Sequence, residues 1–200
     1  MDHILTHLSQ DRKLVPALEV ADLDLLIPEG EVFESLVRAI VYQQLSGKVA
    51  DVIHRRFLEL LDLETPNPER VLGLDPDNMR KAGLSRSKTN YIRNIAEFFQ
   101  QAAYRNQDWH SLSDEALVST LTQIKGVGEW TVQMLLISTM AREDVFPVND
   151  LGIQQGIRGL YGLEELDKKE LKKEMLALCK AWRPYRTYAS RAIWRWYDLK

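Results

Sequence analysis

The sequence predicts an all-α protein with short loops. Apolar residues recur at three- and four-residue spacing along nearly the whole chain, the period of a helix face. Glycine or proline stands at several of the joints between these stretches, as at Gly47, Pro66, Pro68 and Gly126. No segment sustains the alternation of a half-buried strand.

The elements follow in order. Phe33, Leu36, Val37, Ile40, Val41 and Gln44 form one helical stripe, with Gly47 as its expected stop. A second helix is expected from about 48 to 61, after which Pro66 and Pro68 punctuate the chain. Short helices are expected over 68–73 and 76–81, and a longer one over 87–104. Ser113 reads as an N-cap with Asp114 and Glu115 in the first turn, opening a helix that reaches about Ile124. The break Lys125-Gly126-Val127-Gly128 precedes a helix carrying Val132, Leu135, Leu136 and Met140 on one face. Further helices are expected near 150–160, 167–181 and 184–198, the last opened by Pro184.

The chain has 200 residues, enough to bury a core without disulfides. Cys179 is the only cysteine, so no intrachain disulfide can form, and its apolar helical setting suits buried filler. His3 and His7 lie one helical turn apart, but no third ligand is near, so no metal site is expected. No apolar run approaches the roughly 18 residues of a membrane span, and the first residues lack a signal-peptide pattern. A cytoplasmic location is therefore expected. The net charge of −3 lends no whole-chain support to a nucleic-acid partner. The charge is nonetheless uneven. Acids dominate residues 1–35, while Lys180, Arg183, Arg186, Arg191, Arg195 and Lys200 face only Asp198 across 180–200. That basic, Trp- and Tyr-rich stretch is either a solvated helix end or a stacking surface.

The segment Leu121 to Thr131 is the most informative. Gly126 and Gly128 flank Val127, which lets the backbone turn sharply and leaves the main chain open to close approach. The next helix begins near Gly128, and the unpaired N–H groups and dipole of a helix start make an anion site, most often for phosphate. Val127 is expected to pack inward. The other reading is a tight corner between helices with no ligand.

Ile124 to Thr131 resembles the helix-hairpin-helix of base-excision DNA glycosylases. Val145-Phe146-Pro147-Val148-Asn149-Asp150 resembles the loop that carries that superfamily's catalytic aspartate. Three more segments resemble the 3-methyladenine DNA glycosylase II family. They are Ile40 to Ser46, Gly83 to Lys88, and Trp182 to Ala189. The chain departs from the pattern at Lys125, where proline is frequent, and at Asn149, where some members carry an acid. Only about 30 residues precede the helical region, so the β-rich N-terminal domain of longer members is not expected.

This resemblance implies a two-lobed helical glycosylase fold with the active site in the cleft between lobes. One unit is expected over 1–200, with the hairpin at about 114–141 and a second lobe from N-terminal residues plus about 150–200. The implied activity is release of alkylated bases from double-stranded DNA by hydrolysis of the N-glycosidic bond. A monomer is expected, without a cofactor and acting at the nucleoid of a bacterial-type cell. The alternative is a non-catalytic helix-hairpin-helix DNA-binding protein, which needs the hairpin alone.

The resemblance also implies roles. Lys125, Gly126, Val127, Gly128 and Thr131 form the phosphate-binding hairpin, and the carbonyls of Thr122, Ile124 and Val127 are a candidate site for a monovalent cation. Asp150 is the catalytic carboxylate. A carboxylate beside the sugar stabilises the positive charge that builds there as the bond breaks. Asp150 is also suited to cap the helix that follows. Trp130 occupies the position where related glycosylase–lyases carry a nucleophilic lysine. Its indole offers instead a face for a cationic base. With Trp194, Gln43 and Met134 it makes up the expected base pocket. Trp130 and Trp194 each retain a core role as the alternative. An extruded base leaves a gap in the stack. Gln44, polar at the tip of an apolar stripe, is the expected plug, with a buried structural role as its alternative.

Overall fold

A computed structural model describes residues 1–200, folded as twelve α-helices and one short 3₁₀ helix with no strand. The helices are α1 (Asp2–Leu8), α2 (Val15–Val20), α3 (Val32–Tyr42), α4 (Gly47–Glu59), α5 (Pro68–Gly73), α6 (Pro76–Lys81) and α7 (Arg86–Gln100). They continue with α8 (Asp114–Leu121), α9 (Glu129–Ser138), α10 (Leu151–Tyr161), α11 (Lys168–Leu178) and α12 (Arg186–Asp198). The 3₁₀ turn is Trp109–Ser111. No helix is long and apolar enough to cross a membrane. The chain divides into two compact units. One is Glu29–Leu135, and the other joins Met1–Pro28 to Leu136–Lys200.

In the unit Glu29–Leu135, α7 packs against α3, α5 and α6, and α3 also packs on α4. The stripe Leu36, Val37, Ile40 and Val41 is fully buried, as are Ile92, Ile95 and Ala96 of α7. Side-chain caps fix the helix starts. Asn67, Asp75, Ser85 and Ser113 each accept a backbone N–H from the first turn they precede, satisfying a donor with no intrahelical partner. The part of α9 in this unit, residues 129–135, buries Val132 and Leu135.

In the other unit, α12 packs on α10 and α2. Its core includes Ile4, Leu8 and Ala17 from the N-terminal helices and Ile153, Ile157, Tyr188, Ala192 and Ile193 from the C-terminal ones. A Cβ added to Gly156 would stand 2.4 Å from Ile193 Cγ2, so glycine there sets how closely α10 meets α12. Asp11 binds the N-terminal segment down. It accepts from Tyr161 Oη at 2.6 Å and Trp182 Nε1 at 3.0 Å. Burial, aided by that bond to Asp11, pushes the Tyr161 phenol up. Cys179 is buried, and burial pushes its thiol up as well.

Two expectations are corrected. Gly47 does not stop α3. The chain leaves the helix at Gln43, Gln44 takes a left-handed φ of 58°, and Gly47 opens α4. Pro184 lies ahead of α12, behind a cis peptide bond, and Tyr185 is the N-cap. The helices α1 and α2, of seven and six residues, have no counterpart among the expected elements.

Candidate active site

The hairpin lies between α8 and α9. Val127 N–H donates to the Ile124 carbonyl at 3.0 Å, closing the turn. Ile124 and Val127 are almost wholly buried, so both side chains anchor it from within. Gly126 has φ 107°, and a Cβ there would stand 2.3 Å from the Tyr91 ring. Conformation and contact alike exclude any side chain. Gly128 differs, because a Cβ there would meet nothing within 4 Å. No contact within the protein therefore requires glycine there. Asn94 Nδ2 donates to the Lys125 carbonyl at 3.0 Å, tying the hairpin to α7. Lys125 itself is exposed. Of the carbonyls considered for a cation, that of Ile124 accepts the Val127 N–H.

Thr131 departs from its expected place. It is 2 % exposed, and its hydroxyl lies 3.5 Å from Gln43 Nε2. Its side chain is turned to the interior and does not face a phosphate, although Glu129 and Trp130 just before it are exposed. Trp130, its neighbour, is 39 % exposed, which excludes a core role. Met134, half-buried, stands four residues on and shares the Trp130 face.

Gln43 and Gln44 occupy the turn between α3 and α4. Gln43 is half-buried and reaches Thr131, while Gln44 is exposed, which excludes the buried alternative for Gln44. An L-residue with positive φ costs about 1–2 kcal/mol. Lys88, in the first turn of α7, donates from Nζ to the carbonyls of Val41 and Gln43, both at 2.8 Å.

Asp150 and Trp194 lie in the other unit and meet directly. Asp150 is the N-cap of α10, and its Oδ1 accepts from Ile153 N–H at 2.9 Å. Trp194 Nε1 donates to the same oxygen at 2.8 Å. A Cβ added to Gly152, two residues after the cap, would lie 3.0 Å from Trp194 Cδ1, so glycine there eases the close approach of the indole to α10. The loop leading to Asp150 is stitched to the start of α12. Thr187 N–H donates to the Glu143 carbonyl at 2.9 Å, and its hydroxyl donates to the Arg142 carbonyl at 2.6 Å. That hydroxyl in turn accepts Val145 N–H at 3.0 Å. Arg186 holds Asp144 through Nε at 2.6 Å. Trp194 stands seven residues after Thr187, two turns along the same face. One helix therefore registers both the loop and the carboxylate.

Sequence reasoning missed four contributors: Lys88, Tyr91, Asn94 and the Trp194–Asp150 bond. Gly83 to Lys88 stands out in the sequence, but nothing in it shows that Lys88 turns back to helix carbonyls some 45 residues earlier. Tyr91 and Asn94 read as ordinary positions of an amphipathic helix.

A model described as HhH-GPD superfamily base excision DNA repair protein matches residues 37–184. The chain is 36 % identical over 167 residues to DNA-3-methyladenine glycosylase 1 of Schizosaccharomyces pombe, covering 82 % of this chain and 72 % of that protein. It is 30 % identical over 215 residues to the DNA-3-methyladenine glycosylase of Saccharomyces cerevisiae, covering 98 % and 69 %. Among solved structures it is similar to the S. pombe 3-methyladenine DNA glycosylase Mag1 in complex with abasic DNA. The TM-score is 0.81 at 33 % identity, over 96 % of this chain and 95 % of that one. It is also similar to a Bacillus halodurans DNA-3-methyladenine glycosidase, with TM-score 0.78 at 34 % identity over 94 % and 86 %.

Proposed function

The chain belongs to the HhH-GPD superfamily of base excision DNA repair proteins, and on that premise we propose that it is a monofunctional DNA glycosylase releasing alkylated bases such as 3-methyladenine and 7-methylguanine. One observation carries the reading. The Asp150 carboxylate is fixed through Oδ1 by the Ile153 N–H and the Trp194 indole. A plain helix cap needs only the first of these.

The chemistry follows from the residues. As the bond between C1′ and the base nitrogen breaks, its electron pair leaves with the base, and positive charge builds on the sugar. The Asp150 carboxylate, held in place, stabilises that charge. Water adds to C1′ and gives up a proton, which the carboxylate can accept. An alkylated purine that is already cationic departs neutral, so one carboxylate suffices without a strong general acid. Trp130, exposed and backed by Met134, offers a face to the cationic base. Lys125 and the main chain at Gly126 to Gly128 grip a backbone phosphate, and Gln44 fills the gap left by the extruded base. The protein acts on double-stranded DNA as a monomer, at the nucleoid within a cytoplasm.

The test is to incubate the protein with duplex DNA treated with a methylating agent and to resolve the released bases by chromatography. Free 3-methyladenine is expected. DNA binding without any released base would overturn the proposal and leave a binding module.

A further inference from the structure

Gln44 carries its left-handed backbone at a turn with no glycine in it, Tyr42-Gln43-Gln44-Leu45. Something must hold that conformation, because strained backbone persists only where its surroundings over-determine it. The last carbonyls of α3 lack intrahelical partners. One of them, that of Val41, and the carbonyl of the C-cap Gln43 point at one ammonium group, Lys88 Nζ, 2.8 Å from each. A cation at a helix C-terminus also complements the helix dipole. Lys88 is itself fixed, since its backbone N–H donates to the cap oxygen of Ser85 at 3.2 Å. The turn is held from a second side, where Gln43 Nε2 reaches the buried Thr131 hydroxyl on α9. Gln44, between these two anchors, is exposed.

We propose that Lys88 is a positioning residue for base extrusion: by binding the Val41 and Gln43 carbonyls it holds the strained turn that presents Gln44 to the base stack. This rests on the glycosylase reading and on Gln44 as the plug. Lys88 touches neither the base nor the sugar. Burial lowers the pKa of its ammonium, which fits a lysine set against the main chain rather than in solvent. Its role differs from that of an ordinary phosphate-binding lysine, since its donors are directed inward to carbonyls.

The experiment compares two duplexes carrying the same alkylated base, one paired normally and one opposite an abasic gap, where the stack is already interrupted. Wild type, Lys88→Met, Gln44→Ala and the double variant are assayed under single turnover. A small misplacement of a working group can cost on the order of a hundredfold. Lys88→Met is therefore expected to slow release from the paired duplex by about ten- to a hundredfold and to leave the gapped duplex within about threefold. The double variant is expected to match Gln44→Ala, because the two residues act as one unit. Equal losses on both duplexes would show a merely structural role and overturn the proposal, as would additive losses in the double variant. Should Lys88→Met melt below the assay temperature, Lys88→Gln replaces it under the same criteria. A wild-type protein that releases no base from either duplex would refute the glycosylase reading. An active wild type with an unaffected Lys88→Met would refute this inference alone.

Discussion

Trp194 Nε1 donates to Asp150 Oδ1 at 2.8 Å, the same oxygen that caps α10 through Ile153 N–H. The indole thus fixes the orientation of the carboxylate and is more than an apolar wall. Trp194→Phe keeps the ring and removes the donor. We expect base release to fall about tenfold, in line with about 1–1.5 kcal/mol for one hydrogen bond, with little change in affinity for undamaged duplex. A kcat equal to wild type would show that the bond is incidental.

Asp150→Asn tests the charge by itself. Asparagine caps a helix about as well as aspartate, and its oxygen can still accept from Ile153 and Trp194. The melting temperature should therefore change little. Base release should fall about a hundredfold or more, the scale of losing one electrostatic contributor to a transition state. DNA affinity should hold or rise, because a negative charge near phosphate has gone. Turnover close to wild type would exclude Asp150 as the catalytic carboxylate.

The two hairpin glycines should separate fold from binding. Gly126→Ala places a methyl group against the Tyr91 ring at a positive φ, and should cost about 2 kcal/mol or more of stability. Gly128→Ala meets nothing in the protein, so stability should stay nearly constant while duplex affinity drops for all sequences alike, since phosphate contacts position without specifying. Thermal melts and salt-dependent titrations on both variants check this. Unchanged affinity in Gly128→Ala would remove the hairpin as the phosphate grip.

The enzyme should leave an intact abasic site. Trp130 cannot form a Schiff base, and the hairpin's one lysine, Lys125, precedes the turn. Incubation with alkylated duplex and borohydride, followed by a denaturing gel, should give no covalent band, and strands should break only after alkali. A trapped band would make the protein a lyase. Its loss in Lys125→Ala would identify the amine.

His54, packed edge-on against Tyr42, supplies a pH dependence of stability. Burial above all, and then the Arg38 charge, hold its imidazole below the ordinary value near 6.5, while Asp51 acts the other way. Below that ordinary value the unfolded chain takes up a proton that the folded protein refuses, so stability falls as pH falls from about 6.5 toward the lower folded value. Urea unfolding between pH 7.5 and 5 should show this slope in wild type and a shallower one in His54→Gln. Equal slopes would assign the effect elsewhere.

Much of this was legible in the sequence, and the reason is local. Helix periodicity, the caps at Ser113 and Asp150, and the glycines of the hairpin depend on residues within one or two turns, so pattern alone located them. The Val127 anchor and the exposed Lys125 follow from the same short-range logic. The tertiary structure decided whatever depends on contacts between distant segments. Thr131 turned inward, toward Gln43 of the α3–α4 turn, while Trp130 beside it stayed exposed. Gln44 left its helix and took a left-handed conformation, with Lys88 on the carbonyls beside it. Gly126 owes its identity to Tyr91 as much as to its own φ. Asp150 gained the Trp194 indole, 44 residues away in sequence, because α12 carries both that ring and the Thr187 anchor of the preceding loop. Sequence spacing reports the period of an element, whereas the partner of a side chain is set by which elements pack together.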